Sequence, residues 1–84
     1  MNVKVLPGDI LIRKHLGSLV AYKDMPSCAW DSSTGWYWMF IDDGTYLVVS
    51  TALDQRGCML MYLLSSCGDC GWVYVSNSIG HFHL

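Results

Sequence analysis

Glycine or proline interrupts this chain at positions 7, 8, 17, 26, 35, 44, 57, 68, 71 and 80. Both residues break helices, and few windows between them reach the ~12 residues of an average helix. The intervals are filled instead by β-branched and aromatic residues, which suit a pleated, half-buried surface. The spacing predicts short strands. Pro7-Gly8-Asp9 is a turn that launches a strand over Ile10–Lys14, and Gly17-Ser18 turns into a second over Leu19–Lys23. Met25–Gly35 reads as a loop, followed by a strand over Trp36–Ile41.

Asp42-Asp43-Gly44 is the strongest local signal. Asp-Gly between two strand-like runs predicts a hairpin turn, because glycine takes positive φ without steric cost. The fourth strand is then Thr45–Ser50. Thr51–Arg56 is expected to form one helical turn, with Ser50 or Thr51 as cap and Gly57 as stop. Cys58–Leu64 follows as a fifth strand. Cys67-Gly68-Asp69-Cys70-Gly71 makes a second tight hairpin into Trp72–Val75. The tail Asn77–Leu84 reads as a 3₁₀ turn and a final edge strand. Strands this short, with turns every 8–12 residues, point to an all-β domain. At 84 residues a single domain over 1–84, built as a small five- to six-stranded barrel, is favoured, since closure protects sheet edges. All seven acidic residues are Asp, the residue of turns and caps, and none is Glu.

Charge excludes several function classes. Five Lys and Arg with a net charge of −2 cannot form a phosphate-tracking stripe, so no nucleic-acid partner is expected. No apolar run approaches the ~18 residues of a membrane span, and the charged first 20 residues lack a secretory signal pattern. A cytoplasmic protein with reduced cysteines is the expectation.

Residues 61–79, Met-Tyr-Leu-Leu-Ser-Ser-Cys-Gly-Asp-Cys-Gly-Trp-Val-Tyr-Val-Ser-Asn-Ser-Ile, resemble the C-terminal half of SH3-like domains of the bacterial type. An apolar strand there leads to a Gly-x-x-Gly-Trp-Val hairpin, then a Ser- or Asn-rich turn before an aliphatic residue. Gly68, Gly71, Trp72, Val73, Ser76, Asn77 and Ile79 fit that pattern. The resemblance implies an SH3-like barrel and a binding role. The acidic and aromatic signature of proline-rich peptide binders is missing from the N-terminal half. The chain is also similar in style to small tailed-phage proteins of this fold, which implies the cytoplasm of a host cell.

Two constellations bear on chemistry. Cys67-x-x-Cys70-Gly71 has zinc-knuckle spacing, and His81 and His83 share a strand face, so Cys67, Cys70, His81 and His83 form a candidate zinc site. Against it, both glycines are already accounted for by the hairpin; Cys28 and Cys58 are a further possible pair. A redox CxxC would need a helix N-terminus in a βαβ setting, and none is predicted. No spacing favours a particular Cys–His nucleophile pair, and a small barrel filled by its own side chains leaves little room for substrate. No catalytic residue and no cofactor is expected, zinc being the alternative.

The remaining feature is an excess of apolar surface. In Trp36–Ile41 both alternating faces are apolar, and in the fifth strand Met59, Met61 and Leu63 oppose Leu60, Tyr62 and Leu64. Only 14% of residues are charged, against a usual ~25%. Either the 25–35 loop, with Trp30, covers the surplus, or an aromatic patch of Trp30, Trp36, Trp38, Tyr46 and Trp72 meets a protein partner or a second copy. The sequence thus predicts a non-enzymatic protein-binding or assembly module, the alternative being a zinc-stabilised structural domain.

Overall fold

The computed structural model describes residues 4–14, 19–24, 37–40, 44–78 and 80–83, with the backbone alone for 37–40. The described residues are mostly strand. These are β1 (Ile10–Arg13), β2 (Leu19–Tyr22), β3 (Tyr37–Phe40), β4 (Thr45–Leu53), β5 (Met59–Ser65), β6 (Cys70–Tyr74) and β7 (Phe82–His83). One short helix, α1 (Val75–Ser78), separates β6 from β7. The strands form one antiparallel sheet in the order β3-β2-β6-β5-β4-β1-β7, curled into a half-barrel. The all-β expectation holds, and the two-residue β7 is the foreseen edge strand.

Local chemistry explains the turns. Leu6-Pro7-Gly8-Asp9 is a type II turn: proline fixes the second position and Gly8 takes φ 95° at the third. Asp9 N–H donates to Leu6 O at 3.1 Å, and the Asp9 carboxylate accepts Leu6 N–H at 2.9 Å. The β5–β6 hairpin closes with Ser65 N–H donating to Asp69 O at 2.7 Å and Gly68 N–H to Ser65 O at 3.1 Å. Gly68 at φ 93° supplies the left-handed residue of this three-residue hairpin loop.

The expected helical turn over 51–56 does not form. β4 runs to Leu53, and Asp54 opens a second hairpin of the same kind, with Asp54 N–H donating to Cys58 O at 2.9 Å. The Asp54 carboxylate caps that turn, accepting Arg56 N–H and Cys58 N–H at 2.9 Å each and the Tyr74 hydroxyl at 2.9 Å. The Asp42-Asp43-Gly44 hairpin is also overturned. Asp42 and Asp43 lie outside the described residues, and β3 pairs with β2 while β4 pairs with β1 and β5. Gly44 does adopt φ 91°, so the glycine signal marked a left-handed residue without marking which strands pair.

A bulge at Val49 sets the faces of β4. Before it, Tyr46 opposes Ser65 and Val48 opposes Leu63; after it, Thr51 opposes Met61. One extra residue therefore moves the core parity from even to odd numbers and bends the strand. The core is Val5, Leu11, Leu19, Ala21, Tyr46, Val48, Met61, Leu63, Val73, Val75 and Phe82. Each fully buried Leu, Val or Phe there contributes about 1.5–3 kcal/mol. Arg13 is buried beside it: the guanidinium lies 5.8 Å from the Tyr46 ring centre and 5.6 Å from that of Phe82, and it donates to the Tyr46 hydroxyl at 3.3 Å.

Candidate functional site: the outer sheet face

The ladders place a second set of residues on the face opposite the core. Along one row the register runs Ile10–Leu47–Leu64–Cys70. A second row runs Ser50–Tyr62–Trp72–Tyr22, with Tyr37 at the next register position on β3. A third runs Ala52–Leu60–Tyr74. Directly opposed side chains sit about 4.5–5.5 Å apart at Cβ, so each row is a continuous line of contacts. The rings of Tyr62 and Trp72 are 5.1 Å apart, and those of Tyr22 and Tyr74 meet edge to face at 6.2 Å.

This face bears no Asp, Glu, Lys, Arg or His in any of the three rows. Leu60 and Tyr74 are buried, whereas Tyr22, Leu47, Tyr62, Cys70 and Trp72 are half-buried. Ile10 is 58% exposed and Leu64 36%, and Ile12, of the same parity as Ile10, is 54% exposed. Covering the open half of each isoleucine would add on the order of 1 kcal/mol per residue. The Tyr62 hydroxyl donates to Cys70 Sγ at 3.0 Å. That bond, with partial burial, holds the phenol in its neutral form and raises its pKa above the ordinary 10.0. The three rows are thus apolar and polarisable, with His83 opposite Ile12 at their border. They are suited to apolar contact.

The residues expected to form the aromatic patch divide. Trp72 lies on this face at the centre of the second row. Tyr46 does not: its parity on β4 turns it inward, opposite Leu11 and Ser65, and it is fully buried with its ring edge-on to Phe82 at 5.2 Å. Trp38 pairs with Ala21 in the β2–β3 ladder, while its side chain, Trp30 and Trp36 lie outside the described residues. The residues missed were Tyr22, Ile10, Ile12 and Leu47. Apolar residues at every position of Ile10–Ile12 were the available signal, but only the register joins them to β5 and β6.

The candidate zinc ligands are not brought together. No group of three or more His, Cys, Asp or Glu side chains gathers among the described residues. Cys67 is exposed in the β5–β6 loop, Cys70 is under Tyr62, and His81 and His83 flank Phe82 beside β1. A knuckle would turn loop amides toward a thiolate. Here Gly68 N–H and Asp69 N–H are already taken by the carbonyl and hydroxyl of Ser65, the latter at 3.1 Å. Cys58 is exposed in the β4–β5 turn, and Cys28 lies outside the described residues.

Comparison with protein families, with curated proteins and with solved structures finds no match. The fold and the face therefore carry the functional argument alone.

Proposed function

We propose that this chain is a non-enzymatic protein-binding or assembly module that makes contact through its outer sheet face. The observation that supports this is the partly open apolar array of Ile10, Leu47, Leu64, Tyr62 and Trp72, assembled from four strands of one sheet and bordered by Ile12, which stands opposite His83. Tyr and Trp offer large contact area at low entropy cost, and contiguous apolar surface of this kind marks interaction sites.

The SH3-like reading is supported by connectivity. β4, β5 and β6 form a meander, a one-turn helix follows, and the last short strand returns to pair with the first. The bent β4 pairs with β1 at one end and with β5 along its length. An SH3-like barrel is built in this way, with the β2–β3 pair as an excursion between its first and second barrel strands.

The test pairs Leu64→Lys with wild type. Lysine keeps an alkyl stem in place of the leucine and carries its ammonium to solvent, so the variant is expected to lose no more than the ~1–1.5 kcal/mol of a truncation there and to stay folded at the assay temperature. A partner, or a second copy, that is recovered with wild type and re-captures it in the purified pair should be lost with Leu64→Lys. Wild type that sediments as a monomer and yields no such partner contradicts the proposal.

A further inference from the structure

We draw no further inference here: the strongest candidate, the surface patch on the outer sheet face around Leu64 and Trp72 as a contact between two copies of this chain, belongs to the site already described, and nothing in the structure shows what covers it.

Discussion

Leu63 and Leu64 are neighbours on β5 that the register sends to opposite faces, so truncating each in turn tests the assignment of core and outer face. Leu63 is fully buried between Val48 and Gly71, whereas Leu64 is 36% exposed beside Leu47 and Cys70. Leu→Ala removes about three carbon groups, or about 2.4 kcal/mol of transfer free energy when burial is complete. At Leu63 a cavity term is added. Gly71 opposite has no side chain to move in, so collapse is limited and the total should reach about 3–4 kcal/mol. At Leu64 about a third of the surface is already wet and any void opens to solvent, so about 1–1.5 kcal/mol is expected. For a domain of this size the difference corresponds to a midpoint gap on the order of 10 °C. Urea unfolding followed by tryptophan fluorescence, with equal m-values, reads both losses. Equal destabilisation, or a larger loss at Leu64, would refute the face assignment and with it the candidate site.

Three further outcomes follow from the structure. Burial by itself would raise the Asp54 carboxyl, but hydrogen bonds from Cys58 N–H, the Tyr74 hydroxyl and Arg56 N–H, with the charge of Arg56, outweigh it and hold the group below its ordinary 3.8. A depressed folded value means the stabilisation is complete above 3.8 and is lost as pH falls through the folded value, so acid melts of Asp54→Asn should show a shallower pH dependence than wild type. Gly68→Ala meets no atom within 4 Å, yet φ 93° makes it cost about 1–2 kcal/mol, visible in the same urea assay. Protein purified without added metal should hold well under one zinc per chain, with Cys67→Ser unchanged in midpoint; stoichiometric zinc by elemental analysis would restore the four-ligand reading.

The class of fold was legible because glycine and proline act locally and exclude helices wherever they fall. Pairing was not, because it is settled by burial between distant segments. Asp42-Asp43-Gly44 shows the difference: Gly44 does take positive φ, but β4 finds its partners at Ile10–Ile12 and Met59–Ser65. Thr51–Leu53 fails as a helix for the same reason, since its ladder to Met59–Met61 outweighs weak local signals. Asp54, one of seven turn-favouring aspartates, supplies the cap that closes the strand pair instead. Trp72 falls on the face opposite the core, between the buried Gly71 and Val73. Tyr46 was misjudged because composition gives no parity, and the Val49 bulge shifts parity along its own strand. The two-sided apolar character of Met59–Leu64 did signal the outer face, while its extension to Ile10 and Tyr22 needed the strand order.

The central claim is that the outer sheet face meets another polypeptide chain. A photo-crosslinking amino acid placed at position 64, and in a matched protein at Gln55 on the exposed β4–β5 turn, asks this most directly in the cell that makes the chain. The account predicts a discrete adduct from position 64 and none from 55. Equal diffuse labelling from both, or no adduct from position 64, would contradict it.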